Sequence, residues 1–287
     1  MTNPTTRRFE RYVAIGDSST EGLDDPDGRG GFHGWANRLA ERIAAIQGSL
    51  LYANLGVRGR RTREILEEQL DAALALRPDL ATLFSGTNDV VGKGFDPEAV
   101  AADVAIMQSS LVRQGATVLT FTLPDLTPVM PLARRILPRV LAMNDALRRA
   151  SAQSGAILVD VAAHPVASDP RLWSEDRLHA NALGHARIAA ALGHALGLPG
   201  SDPGWSDPLP AVPHPTSFER VAAELRWGRR YLVPWMWRHL RGRSSGDGRT
   251  AKRPVLEPVG PVLGYGASNL SQLTVNNRQW GSRPRGR

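Results

Sequence analysis

The 287-residue chain is 42% hydrophobic and 22% charged, the composition of an ordinary globular protein with one sizeable core and an appendage. It has no cysteine, which excludes disulfides, thiolate metal sites and a cysteine nucleophile, so covalent chemistry must fall to oxygen or nitrogen nucleophiles. The net charge of +7 comes from the tail: residues 1–214 hold 21 Lys+Arg against 24 Asp+Glu, whereas residues 215–287 hold 14 against 4.

Arg7, Arg8 and Arg11 precede an apolar run of only residues 12–15, too short for a secretory signal. No stretch approaches the roughly 18 apolar residues of a membrane span, and a cytoplasmic location is expected. Short apolar runs follow at residues 12–15, 50–55, 80–84, 117–123 and 157–161, the texture of strands buried on both faces. Helical spacing lies between them: Ala36, Leu39, Ala40 and Ile43, then Ile65, Leu66, Leu70 and Ala73, then Val100, Val104, Met107 and Leu111. Further helices are predicted over residues 139–152 and 183–196. Strand and helix alternating in this way predict crossover connections and a mostly parallel sheet, with ligands gathered at the carboxyl ends of the strands.

Prolines at 199, 203, 208, 210, 213 and 215 mark a linker over residues 199–216, ending a catalytic domain of residues 9–198. Residues 217–243 regain helical character, with Trp227, Tyr231, Trp235 and Trp237 among arginines, although Pro234 interrupts any single helix. Residues 244–287 read as a largely disordered tail.

The chemistry-bearing residues fall where the sheet reading places them. Gly16-Asp17-Ser18-Ser19 follows the first strand, so a turn projects Ser18 from the sheet edge. A serine hydroxyl needs a base, and Asp176 and His179 stand three residues apart ahead of the last helix. A carboxylate there fixes the tautomer that leaves the other ring nitrogen free to take the serine proton. Asn88 follows the third strand in Gly86-Thr87-Asn88-Asp89, where its amide can donate to an oxyanion. The glycine-bearing loop Asn54-Leu55-Gly56-Val57-Arg58-Gly59 follows the second strand and lets a backbone N–H approach the same oxygen.

These blocks, in this order over residues 9–198, resemble those of the SGNH, or GDSL-type, hydrolases. The resemblance implies a three-layer α/β/α sandwich around a five-stranded parallel sheet, flavodoxin-like in plan. It implies Ser18 as nucleophile, Asp176 and His179 as its triad partners, and an oxyanion hole of Ser18, Gly59 and Asn88. The reaction implied is cleavage of carboxylic esters, small-molecule or glycan-linked, without a cofactor. Two departures stand out: Ser19 replaces the leucine of the family's name, and the second block reads Gly59-Arg60-Arg61-Thr62, more basic than is usual. Arg60 is therefore a candidate contact for an anionic substrate group, with Glu64, Glu67 and Glu68 as its competing partners. His33, in a glycine-rich loop soon after Ser18, is a candidate for the substrate entrance.

The absence of a long apolar lid makes short-chain or O-acetyl esters the expected substrates. No metal-ligand spacing or nucleotide fingerprint is present, so neither a metal nor a nucleotide is expected. The tail, rich in tryptophan and arginine, suits an anionic membrane surface more than specific nucleic acid, or else docks its aromatic side on the body. Acyl transfer by the same residues, or a non-enzymatic binding role, remain the other readings.

Overall fold

The computed structural model describes residues 7–212, 217–234 and 245–260. Its elements, in chain order, are β1 (Arg11–Gly16), α1 (Ser18–Glu21), α2 (Gly34–Gln47), β2 (Leu50–Asn54), α3 (Thr62–Ala75), β3 (Leu80–Phe84), α4 (Thr87–Val91), α5 (Pro97–Arg113), β4 (Thr117–Phe121), α6 (Leu137–Ser154), β5 (Ile157–Val159), α7 (Ala182–Ala195), α8 (Ser217–Trp227) and β6 (Arg253–Val259). The sheet order is β5-β4-β3-β1-β2-β6. The first five strands pair in parallel.

Helices α2 and α7 pack together on one face, and α3, α5 and α6 on the other. Every residue of β3 is buried, as is all of β1 after Arg11, which is why these strands read as continuous apolar runs instead of alternating ones. Helix α5 starts where Asp96 accepts from the Glu98 and Ala99 N–H groups ahead of Pro97, and α7 where Asn181 accepts from Leu183 and Gly184. Across the sheet, Phe121 stacks on Phe84 at 4.2 Å and takes the edge of Trp35 at 5.3 Å.

The five parallel strands expected from sequence are joined at the edge by a sixth, within the stretch read from sequence as a largely disordered tail. β6 runs antiparallel to β2, pairing Leu50 with Val259 and Tyr52 with Glu257. It covers an edge that would otherwise expose unpaired backbone groups. Two prolines and a glutamate deny this heptad any apolar period, but prolines are tolerated on an outermost strand. Just before it, the Lys252 ammonium donates to the Phe32 and His33 carbonyls.

The proline-rich stretch after residue 198 is also tied to the body. Trp205 is buried against the His164 ring at 4.6 Å, and Arg187 Nη1 donates to the carbonyls of Gly204, Trp205 and Asp207. Among the described residues no helix is long and apolar enough to cross a membrane. Trp235, Trp237, Arg238, Arg241 and Arg243 lie outside the described residues.

Candidate active site

Two glycines shape the approach to the site. Gly16, at φ +152°, ends β1 so tightly that a Cβ there would stand 2.4 Å from the Phe84 carbonyl and 2.3 Å from Thr20 Oγ1. Gly86, at φ +110°, turns the chain from β3 into α4, where a Cβ would meet the Met143 methyl at 2.3 Å. Asp17 then caps α1 by accepting from the Ser19 N–H at 3.0 Å, which makes Ser18 the first helical residue. At that position its own N–H has no intrahelical acceptor.

Ser18 is buried, and its Oγ lies 2.9 Å from His179 Nε2. His179 Nδ1 lies 2.5 Å from Asp176 Oδ2. Asp176 Oδ1 accepts from the N–H groups of Leu178 at 2.9 Å and His179 at 3.0 Å, and from Ser174 Oγ at 2.6 Å. The loop carrying them is closed at its base, where Trp173 bridges Ala180 and the Ser174 N–H donates to the His179 carbonyl at 2.9 Å. Asp and His three residues apart thus leave a pinned turn on the same side, and the three residues read from separate parts of the sequence come together.

Burial alone would raise the Asp176 carboxyl, but the hydrogen bond and charge of His179, its backbone N–H and the Ser174 hydroxyl carry it well below the usual carboxylate range. Burial alone would lower the His179 imidazole, but the bond to Asp176 and the charges of Asp176, Asp24 and Asp17 hold it above its ordinary value. Both shifts favour an imidazolium–carboxylate pair. Burial pushes Asp17 up to about 7, against the Ser19 N–H and the charge of His179.

The second and third blocks meet beside Ser18. The Asn88 amide donates to the Arg60 carbonyl at 2.9 Å and to Asp17 Oδ2 at 3.3 Å. Gly59, at φ +79°, lies in a loop anchored on both flanks. On one side the Val57 N–H bonds to the Gly16 carbonyl at 3.1 Å and Arg58 grips Glu21; on the other is the Asn88 contact. Asp89 fastens α4 to this loop by accepting from the Thr62 N–H at 3.1 Å and its hydroxyl at 2.9 Å.

Ser19 sits where the leucine is usual and accepts from the Trp35 indole at 3.1 Å, a polar contact in place of apolar packing. The two further candidates stand apart from this constellation. His33 bonds Glu41 at 2.7 Å and does not line the cavity at Ser18. Arg60 is held by Glu68 at 2.8 Å and Glu64 at 3.7 Å, and its side chain is likewise absent from that cavity's wall.

Asp24 and Ser174 were not singled out in sequence. Ser174 Oγ stands 2.5 Å from Asp24 Oδ2 as well as beside Asp176, linking a second carboxylate to Asp176. No motif marks Asp24, which reaches Ser174 only through the fold. Among the described residues, Asp24, Asp176 and His179 are the group with metal-ligand chemistry. Both ring nitrogens of His179 are already engaged, by Asp176 and Ser18, so the cluster reads as a hydrogen-bonded relay.

A cavity opens from Ser18 and His179, and its wall is almost wholly apolar, including Phe84, Val90, Phe121, Ile136, Val140 and Trp205. Its few polar lining groups, such as Thr87, Asp125 and Arg187, are scattered along that wall.

Ser18, beside the end of β1, and His179 and Asp176, on the loop before α7, thus form one hydrogen-bonded line at one edge of an α/β/α sandwich. The chain belongs to the GDSL-like Lipase/Acylhydrolase family, whose pattern matches residues 14–187, and is a carboxylic ester hydrolase of that family. No curated protein sequence matches it significantly. Among solved structures it is similar to LAE5, described as an alpha/beta hydrolase enzyme from the metagenome of Lake Arreo, Spain, with a TM-score of 0.56 and 23% identity over 66% of this chain and 95% of that one. It is also similar to TesA (TM-score 0.54, 21% identity, 65% and 98% of the two chains). A third is Axe2, an acetylxylan esterase from Geobacillus stearothermophilus (TM-score 0.55, 17% identity, 69% and 96%). At these identities the likeness concerns the fold.

Proposed function

We propose that the chain hydrolyses carboxylic esters by attack of Ser18 on the acyl carbon, with His179 Nε2 taking the hydroxyl proton and Asp176 holding the imidazole. The observation that carries this reading is the unbroken line from Ser18 Oγ through His179 to Asp176, at 2.9 and 2.5 Å. The oxyanion is met by the N–H groups of Ser18 and Gly59 and by the Asn88 amide, whose contact to Asp17 at 3.3 Å is the longer of its two and the one an oxyanion would replace. His179 then returns the proton to the leaving alcohol, and water repeats the sequence on the acyl-enzyme. Transfer to another alcohol would use the same groups and differ only in how well water is kept out.

The base must be neutral to act, and His179 is held above its ordinary value, so kcat/KM should fall on the acid side with a midpoint above 6.5. Below that midpoint the rate drops about tenfold per pH unit as the imidazole protonates. A pH–rate profile measures this; a rate still level at pH 5 would contradict His179 as base.

The cavity wall supports an acyl group longer than the acetyl or short-chain esters expected from sequence. A buried methylene is worth about 0.8 kcal/mol, so kcat/KM should climb up to about fourfold per carbon until the cavity is filled. Hydrolysis of p-nitrophenyl esters from acetate to palmitate measures this. Val140→Trp, which fills part of the wall, should move the optimum to shorter chains. A series falling monotonically from acetate would restore the short-chain reading.

A second reading concerns the basic tail. Leu225 and Val233 are exposed on the segment that also carries Arg226, Arg229 and Arg230, the chemistry of an anionic lipid surface. Sedimentation with vesicles containing phosphatidylserine should recover the protein at low salt and release it at high salt. Protein left in the supernatant at low salt would end this reading.

A further inference from the structure

Helix α8, with the turn over Gly228–Leu232 that continues it, lies beyond the family match, which ends at residue 187. Its contacts with the catalytic body are concentrated on three consecutive residues, those at the tip of the loop carrying Asp176. Glu224 accepts from Arg177 at 2.8 Å. The Trp227 indole N–H donates to the Asp176 carbonyl at 3.1 Å, and its ring lies under the Arg177 guanidinium at 4.8 Å. The Tyr231 hydroxyl donates to Glu175 at 2.8 Å, beside the Arg230–Glu175 ion pair at 3.1 Å.

Glu224, Trp227 and Tyr231 are spaced to share one helical stripe, and they meet residues 177, 176 and 175 in reverse order, as an antiparallel clasp would. What they hold is strained. Arg177 adopts φ +65°, a left-handed conformation that a side-chain-bearing residue takes only when its surroundings impose it. Were Arg177 to relax, the peptide joining it to Asp176 would rotate, and the carboxylate aligned on His179 would move with it.

We infer that α8 is a positioning element for the acid–base turn, with Trp227 as its main hold on the backbone of Asp176. The inference rests on the reading of His179 and Asp176 given above. The exposed Arg230–Glu175 pair contributes little, since charges in water are screened. Fixing therefore falls to the Trp227 N–H and ring and to the half-buried pairing of Arg177 with Glu224. Trp227 touches neither Ser18 nor His179, so it acts only through the turn.

The test uses the full-length chain with Trp227→Phe, which keeps a ring but removes the N–H donor, and Glu224→Gln on the exposed side of the clasp. The readouts are kcat per titrated active site and the His179 pKa followed by ring-proton NMR. His179 faces Asp176, Asp24 and Asp17, all unchanged in both variants. For Trp227→Phe, kcat per active site should fall about tenfold at unchanged KM, and the His179 pKa should move down toward 6.5 as its bond to Asp176 loosens. Glu224→Gln should move both in the same direction by a smaller amount, and it decides the matter alone if Trp227→Phe does not fold. Unchanged kcat and unchanged His179 pKa would overturn the inference. Ser18→Ala is read alongside: if ester hydrolysis survives it, the serine reading fails, while the His179 titration still reports whether α8 holds the turn.

Discussion

Replacing Ser18 with alanine should lower kcat/KM for any ester substrate by at least about a thousandfold, leaving the fold and thermal stability nearly unchanged. The size follows from the covalent step: without Oγ there is no acyl-enzyme, and only the oxyanion donors and substrate binding act on a direct attack by water. Stability should hold because Ser18 Oγ makes one side-chain hydrogen bond, to His179, and the cap that starts α1 belongs to Asp17. Parallel measurement of the ester series and a thermal melt separates the two effects. A variant retaining a tenth of the activity would mean that another group attacks.

The second large effect is expected from Asp176→Asn, which should reduce kcat about ten-thousandfold. Asp176 Oδ1 is fixed by the N–H groups of Leu178 and His179 and by the Ser174 hydroxyl, all of which donate. An asparagine in its place keeps its carbonyl oxygen on those donors and turns its NH2 toward His179 Nδ1. The ring must then carry its proton on Nε2, where it donates to Ser18 instead of accepting from it. Loss of a mere packing contact would cost far less, and a steady-state assay with active-site titration distinguishes the two. A reduction below a hundredfold would show that Asp176 does not set the tautomer.

The five parallel strands and their helices were legible because burial on both faces leaves unbroken apolar runs of residues, and because the helices between them bury apolar residues at helical spacing, such as Val100, Val104, Met107 and Leu111. The residues of the proposed triad were legible because each sits at a place where the fold changes direction: the end of β1 for Ser18, the entry to α7 for Asp176 and His179. The proposed oxyanion partners were less so, since a glycine and an asparagine after strands are ordinary loop residues until the Asn88 contacts to Arg60 and Asp17 bring the loops together.

What escaped the sequence has a common physical cause, in that it depends on partners far away in the chain. β6 is held by backbone pairing to β2 and carries no apolar period. Asp24 meets Ser174 across 150 positions, with no motif to announce it. Trp227 reads as one more aromatic in a basic tail until its indole is seen on the Asp176 carbonyl. His33 and Arg60 have polar chemistry near Ser18 in sequence, and in the fold their side chains pair with Glu41 and with Glu64 and Glu68. The apolar cavity also could not be foreseen, because its wall draws on β3, β4, α4, α6 and the segment around Trp205 instead of one continuous lid.

Ser18 is proposed as the nucleophile, with His179 activating it. Labelling the intact chain with a fluorophosphonate and locating the adduct by peptide mass spectrometry tests this most directly, because the reagent reports on an activated serine without requiring knowledge of the natural ester. One stoichiometric adduct on Ser18 is expected, formed at the rate at which activity is lost, absent in Ser18→Ala and strongly slowed in His179→Ala. An adduct on another residue, or full ester hydrolysis by a chain that the reagent leaves unlabelled, would contradict it.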